Sequence, residues 1–378
     1  MQWVFLFFLC APFVGYLALV ASAVPAAPAQ HLLLSIMLRN ESDIIYRSIK
    51  SARKIGVTHL FICDTGSLDN TPIHAELAWG GVANMLVYRT PKGFDNFETT
   101  RNECKLRMVE MVEKQEGWPT IEWVLLGDAD FEYRGRFASI PQGDDNIIQM
   151  QPGKPEHHHN ARNMLVRFLA LKHFCKYELW AHEKLTCVNP SPSAAGTRMY
   201  SDLYVVDHAD GSSRPNKLAR DVSLLERWLI DVNTTDLRPR ALYYLARTYE
   251  DMGQLKKAAI TYEWHSKEET YTNYQYYGLY RLALLELRAN TSSEDVIERA
   301  FLKAQGSYDG YFRWEPLYYL ARFFRMRGNY NKCILYATAG AYGPPLNMTR
   351  IPLFIELEIK EKHILEELEY CKMIKSLF

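Results

Sequence analysis

A chain of 378 residues is long enough for two ordinary domains, so a catalytic unit joined to an accessory unit is the starting expectation. Its 44 basic and 44 acidic residues cancel, which excludes a protein held to nucleic acid by bulk phosphate neutralisation and leaves any charged ligand to a local cluster. The 24 tyrosines and 8 tryptophans offer flat amphipathic faces suited to sugars or peptides, although core packing is their commoner use.

Residues Trp3 to Val20 form an uncharged apolar run, and Ala21-Ser22-Ala23 after it matches the small-residue cleavage pattern of a secretory signal, so 1–23 reads as a signal peptide. The stretch Trp3 to Val24 is also long enough to span a bilayer, and an uncleaved membrane anchor is the alternative. Either form sends the chain into the secretory pathway, to the ER or Golgi lumen or beyond the cell. Sequons at Asn40, Asn233, Asn290 and Asn347 are compatible with that route. Beyond Cys10 the cysteines show no zinc spacing; Cys63 and Cys333 lie in apolar patterns and read as buried free thiols, whereas Cys175 and Cys187 flank a candidate active segment and suit a bridge in an oxidising compartment.

After an Ala/Pro linker, His31 to Met37 is an apolar run of strand length, and Ile44 to Ile55 has helical spacing. Leu60–Cys63, Met85–Tyr88 and Ile121–Leu126 continue as strands, with a helix over Thr99–Val112. Continuous apolar strands alternating with helices predict an α/β fold, a mostly parallel sheet covered on both faces, with ligands at the strands' carboxyl ends. Arg39-Asn40-Glu41, Asp64, Asp128 and Asp130 fall there.

From about Leu218 the pattern becomes tyrosine- and alanine-rich amphipathic helices. Leu242, Leu245, Ala246, Tyr249, Gly253, Ala258 and Tyr262 keep the spacing of a tetratricopeptide repeat, and Leu317, Leu320, Ala321, Phe324, Gly328, Cys333 and Ala337 repeat that register. Tyr277, Tyr280, Arg281 and Leu284 open a degenerate middle copy, and Ile351 to Leu377 reads as a terminal helix.

Asp128-Ala129-Asp130 places two carboxylates on one face of an extended segment directly after an apolar strand. Two hard oxygens there suit Mg²⁺ or Mn²⁺, which would neutralise a departing diphosphate. The plain alternative is a solvated turn.

Taken in order, Ser35-Ile36-Met37-Leu38-Arg39-Asn40-Glu41, Asp64-Thr65-Gly66-Ser67-Leu68-Asp69-Asn70-Thr71, Phe97-Glu98-Thr99-Thr100-Arg101-Asn102 and Asp128-Ala129-Asp130 resemble glycosyltransferase family 2, of the GT-A fold. Trp180-Ala181-His182-Glu183, Asp207-His208-Ala209-Asp210-Gly211 and Arg220-Asp221 before the helices narrow the resemblance to the branch carrying a repeat tail, the architecture of the sublancin-type peptide S-glycosyltransferases. The resemblance covers roughly residues 32 to 290, and the family's acidic residue after Asp-x-Asp is replaced by Phe131.

The resemblance implies that Asn40, Glu41 and Asp64 receive base and ribose, that Arg101 reaches the donor's phosphates, and that Glu183 is the general base of an inverting transfer. It further implies that His208 completes a metal site with Asp128 and Asp130, that Arg214 and Lys217 clamp the diphosphate, and that Trp180 and His182 lie on the acceptor side. By residue chemistry alone, Asp64 equally suits an Asx-turn, and Arg101 an ion pair with Asp128 or Asp130. His182 reads as an ordinary satisfied histidine or as an orienter of Glu183, Glu132 as a surface residue or a third carboxylate, and Asp69 as the cap of a helix beginning near Thr71. The run His157-His158-His159 reads as a polar insertion.

The expectation is therefore a GT-A domain over 31–217, tetratricopeptide-like repeats over 218–345 and a capping helix over 346–378. Its chemistry is a metal-assisted, inverting hexosyl transfer from a nucleoside-diphosphate sugar, a UDP-sugar foremost, to a peptide or glycan. Tail grooves lined by Tyr243, Tyr244, Tyr276 and Tyr277 would hold the acceptor or join two copies in a homodimer. A non-catalytic lumenal adaptor is the alternative from another class. A sugar nucleotidyltransferase would need a Gly-rich basic loop where only Leu38-Arg39-Asn40-Glu41 stands.

Overall fold

The computed structural model describes residues 31–135, 147–152, 164–188, 198–212, 216–231, 236–269, 272–289, 292–307, 313–343 and 359–377. The segment 1–23, Arg214, the run His157–His159 and the sequons at Asn233, Asn290 and Asn347 lie outside the described residues. Among the described residues no helix is long and apolar enough to cross a membrane.

The first half begins β1 (Leu32–Leu38), α1 (Ile45–Ile55), β2 (His59–Asp64), α2 (Thr71–Trp79), β3 (Met85–Arg89), α3 (Phe97–Lys114) and β4 (Trp123–Gly127). It continues β5 (Phe131–Gly135), β6 (Ile147–Pro152), β7 (Met164–Arg167), the short α4 (Phe168–His173), β8 (Cys175–Glu178), β9 (Lys184–Cys187) and β10 (Arg198–Asp207). One eight-stranded sheet runs β3-β2-β1-β4-β7-β6-β10-β5, and β8-β9 form a separate ribbon. The strands β1 to β4 pair in parallel, as do β6 and β10, while β7 and β5 run antiparallel to their neighbours.

The strand β1 lies between β2 and β4, which pair both its edges, and helices cover both its faces, so its sequence is apolar nearly throughout. Leu32, Leu34, Ile36 and Leu38 pack with α1 and α2 on one side, and Leu33 packs with α3 and α4 on the other. The edge strand β3 is only half-buried, as an edge position allows. At the end of β4 a Cβ on Gly127 would lie 2.1 Å from Tyr133 Oη and 3.0 Å from Leu34 Cδ1. Only glycine fits before Asp128.

The second half is helical: α5 (Lys217–Asp231), α6 (Arg238–Asp251), α7 (Leu255–Glu268), α8 (Thr272–Ala289), α9 (Glu294–Gln305), α10 (Glu315–Met326), α11 (Tyr330–Tyr342) and α12 (Ile364–Lys375). The turns between α6 and α7 and between α10 and α11 carry Gly253 and Gly328 at φ of 73° and 74°, a left-handed backbone that glycine adopts without strain. Before α12 the chain makes a π-helical turn over Ile359–His363, where one unbroken terminal helix was expected. Leu179 and Ala181 of the β8–β9 connection share a core with Leu224, Trp228, Leu245 and Tyr249, which joins that connection to α5 and α6.

Two expectations are corrected. Tyr243 and Tyr276 are buried, at 1% and 0% exposure, so they fill the core instead of lining a groove. Cys63 and Cys333 are no free thiols: disulfides join Cys63 to Cys104, Cys333 to Cys371, and Cys175 to Cys187. The first two close separations of 41 and 38 residues, contacts that exist only once β2 meets α3 and α11 meets α12.

Candidate active site

A cleft of about 660 Å³ opens beyond the carboxyl ends of β1 and β4, the position where open α/β sheets bind ligands. Arg39, Asn40, Glu41, Asp128, Asp130 and Glu183 line it, together with Asp207, Gly211 and Ser212. Lys217, Arg220 and Asp221 of α5 and the rings of Phe94 and Phe97 complete the wall. Among the described residues, four of the five non-glycine positions with positive φ lie in loops around it: Asn40, Leu179, His182 and Ala209. Each costs of order 1–3 kcal/mol, so the surrounding contacts must hold them.

Helix α3 is the rod on which this wall is built. Asn96 caps it by accepting from Thr99 N–H at 2.8 Å. One of its faces then grips backbone: Glu98 accepts from Leu179 N–H, Asn102 both donates to Tyr177 C=O and accepts from Tyr177 N–H, and Lys105 donates to Cys175 C=O. Arg101 points into the cleft. Its Nη2 donates to Asp128 Oδ1 at 2.7 Å, and its Nε lies 2.5 Å from Glu183 Oε1 as an ion pair whose N–H is not aimed for a hydrogen bond. Burial alone would lower the arginine pKa, but Asp128 and Glu183 together raise it, so the guanidinium stays charged. The Tyr177 ring, 5.7 Å from that guanidinium, has its hydroxyl pKa pushed up to about 12 by burial.

The expected nucleotide-binding residues are held by protein partners. Asn40 Oδ1 accepts from Leu68 N–H at 2.8 Å, and Asn40 N–H donates to Ser67 Oγ. Asp64 is buried and its Oδ1 accepts from Gly66 and Ser67 N–H, the Asx-turn reading. Asp69 accepts from Thr71 N–H at the start of α2, although the cap position itself is Asn70. Glu41 accepts from Ser212 N–H and Oγ–H, with its pKa raised first by burial, then lowered by Ser212 and raised again by Asp130 and Asp210.

The expected metal ligands are not brought together as a set. Asp128 and Asp130 both line the cleft, and their carboxylate oxygens suit a hard divalent cation. His208 instead turns to Glu132, Nε2 to Oε2 at 2.8 Å, and Arg134 with His208 lowers the Glu132 pKa. Among the described residues the one group of three candidate ligands within 4.8 Å is Cys333, Glu367 and Cys371, whose thiols are spent in a disulfide. Gly211 runs close over the site: a Cβ there would lie 3.5 Å from Asp130 Oδ2 and 3.6 Å from Glu41 Oε1.

Of the two acceptor-side residues, His182 lines the cleft and Trp180 does not. The Trp180 ring packs toward α5, 5.3 Å from the Arg227 guanidinium. The His182 pKa is lowered to about 3, first by burial and then by Lys217, so the ring is neutral. Buried Asp221 accepts from Lys217 and from Arg220 and lies 3.5 Å from His182 Nε2. Phe94 and Ser212 were not named by sequence reasoning and Asp221 was given no role; Arg39 was placed at the strand ends and Phe97 stood in a family motif, neither with an assigned role. Arg220-Asp221 did stand among the family motifs, and that was the available signal.

No family model and no curated protein sequence matches the chain. Solved structures with some likeness include TarS of S. aureus, at 10% identity and a TM-score of 0.37, over 73% of this chain and 53% of that one. Another is glucosyl-3-phosphoglycerate synthase from Mycobacterium tuberculosis, in complex with Mn²⁺, uridine diphosphate and glucosyl-3-phosphoglycerate. It shows 14% identity and a TM-score of 0.28, over 39% of this chain and 60% of that one. The chain thus spans under two thirds of the length of either, and likeness of this degree carries no argument about activity. Independently of it, the described residues form a mostly parallel α/β sheet with flanking helices, followed by a helical region.

Proposed function

We propose that the protein is a glycosyltransferase that moves a sugar from a nucleoside-diphosphate donor, with a divalent cation, to a peptide or glycan nucleophile. One observation carries the reading: a single guanidinium, that of Arg101, contacts both Asp128 and Glu183 in the same cleft. The candidate metal carboxylate and the candidate base are therefore within one side chain's reach of each other.

Asp128 and Asp130 would hold Mn²⁺ or Mg²⁺, and the ion, when bound, neutralises charge on the diphosphate leaving group. Arg101, Lys217 and Arg220 add positive charge along the same wall. Glu183 takes the proton of the acceptor atom as that atom bonds to the anomeric carbon from the face opposite the departing nucleoside diphosphate, a single displacement that inverts the carbon. A donor binding at Glu41 either displaces Ser212 from the carboxylate or shares it, because the carboxylate's two oxygens offer about four acceptor positions. Three disulfides favour an oxidising compartment and hence the secretory route. The helical half follows a tetratricopeptide-like register, and its Lys217, Arg220 and Asp221 reach the cleft.

The test is a hydrolysis screen of the purified protein against nucleotide-sugars, with Mn²⁺ or with EDTA. Turnover of one donor that disappears in EDTA and returns with Mn²⁺ is the expected result. Turnover unaffected by chelation contradicts the role of Asp128 and Asp130, and absence of turnover with every donor contradicts the enzyme.

A further inference from the structure

The turn before Glu183 is held in an uncommon shape, with Leu179 at φ 86° and His182 at φ 56°. Side-chain-bearing residues stay in that region only where their surroundings leave no alternative. Helix α3 holds the start of this turn, with Glu98 accepting from Leu179 N–H and Phe97 N–H donating to Trp180 C=O, and the helical half holds His182. Arg240 on α6 donates from both Nε, at 3.2 Å, and Nη2, at 3.1 Å, to the carbonyl oxygen of His182. Tyr244 stacks its ring on the His182 imidazole, with centroids 4.0 Å apart and planes within 5°. The Arg240 guanidinium lies 4.8 Å from the same tyrosine ring. Residues four apart share a helix face, so α6 presents guanidinium and ring to one peptide unit.

We propose that Arg240 and Tyr244 are positioning residues for the reaction: they fix the His182 peptide and so aim Glu183 into the cleft. The helical half is then a working wall of the active site, whatever else it binds. The proposal rests on Glu183 being the general base. Asp128 and Asp130 follow β4, whereas Arg240 and Tyr244 act on the His182 peptide, so donor affinity is expected to change less than turnover.

The test uses the full-length protein, UDP-glucose with Mn²⁺ as the kinetic probe, and hydrogen exchange of the 179–183 backbone. Variants are Arg240→Ala, Arg240→Lys, Tyr244→Ala, Tyr244→Phe and, as a control, Arg281→Ala. Arg281 pairs with Glu250 away from the cleft and reports general weakening of the tail. Arg240→Ala and Tyr244→Ala are expected to speed exchange of 179–183 and to lower kcat by about 10- to 100-fold, the cost of a misplaced reacting group, with a smaller change in KM for the donor. Tyr244→Phe keeps the ring and the wild-type kcat, and Arg240→Lys falls between. Arg281→Ala lowers the melting temperature and leaves kcat alone. Unchanged exchange in Arg240→Ala, or an equal kcat loss in Arg281→Ala, overturns the positioning role. A Glu183→Gln protein that keeps full turnover, or a wild type that turns over no donor of the nucleotide-sugar screen, shows instead that the functional reading has failed and takes this proposal with it.

Discussion

Arg101 and Glu183 meet at 2.5 Å, Nε to Oε1, while the same guanidinium holds Asp128 at 2.7 Å through Nη2. The candidate base and the first carboxylate of Asp-x-Asp thus share one partly buried cation on α3 before any ligand arrives. That shared cation ties the site's chemistry to the stability of the fold.

Replacing Arg101 by Met leaves two acidic groups facing each other without their cation, and the unfolding free energy should fall by about 3 kcal/mol. Arg101→Lys should recover only part of this, since a single ammonium nitrogen lacks the planar spread by which Nη2 reaches Asp128 and Nε reaches Glu183. Urea unfolding of the three proteins at pH 7 measures both.

Glu183→Gln keeps the shape of the turn and removes the proton acceptor. Transfer should drop by about 100- to 10,000-fold while UDP binding stays as in the wild type. Parallel calorimetry and transfer assays decide it, and a variant with the parent rate removes Glu183 from the mechanism.

His182 makes stability depend on pH. Its pKa is lowered from 6.5 to about 3 in the folded protein, so between those values the unfolded chain binds the extra proton. The contribution is complete above pH 6.5 and drains away as pH falls toward 3. His59, lowered to about 4 by burial, acts in the same sense. His182→Phe, which keeps a ring against Tyr244, should flatten the fall in urea midpoint between pH 7 and pH 4. An unaltered slope would show that the imidazole does not titrate as its burial demands.

The disulfides should separate by role. Cys333→Ser with Cys371→Ser opens a staple between α11 and α12 and should cost about 2–4 kcal/mol without changing kcat. Cys175→Ser with Cys187→Ser loosens the ribbon that carries Glu183, so kcat should fall along with stability. Melting curves and initial rates on both double variants make the comparison.

The first four strands and their helices were legible because each is a continuous apolar run or a clear helical spacing, as in Leu32–Leu38 and Ile45–Ile55. The ribbon β8–β9 was not, since four-residue strands such as Cys175-Lys176-Tyr177-Glu178 carry too little pattern to betray their period. Asp128, Asp130 and Glu183 could be named in advance because motif order brought them out. Arg101 could be named as a phosphate contact or as a partner of Asp128 or Asp130; its simultaneous contact with Glu183 could not, because sequence does not measure distance. His208 shows the converse: its place after a strand suggested a metal ligand, but β10 runs antiparallel to β5 and sets the imidazole beside Glu132. Tyr243 and Tyr276 were misread because a tyrosine-rich stripe looks the same whether it faces a groove or a neighbouring helix.

The grip of α3 on the β8 strand is made almost wholly to main-chain groups, those of Cys175, Tyr177 and Leu179. Peptide groups are common to every residue but proline, so the outward side chains of Lys176 and Glu178 are at liberty to drift over evolutionary time without moving Glu183. Glu98, Asn102 and Lys105 have no such licence. Variation among relatives should therefore collect on the ribbon's outer face and spare the stripe of α3 made by Glu98, Asn102 and Lys105, which lies beside Arg101 but outside the cleft.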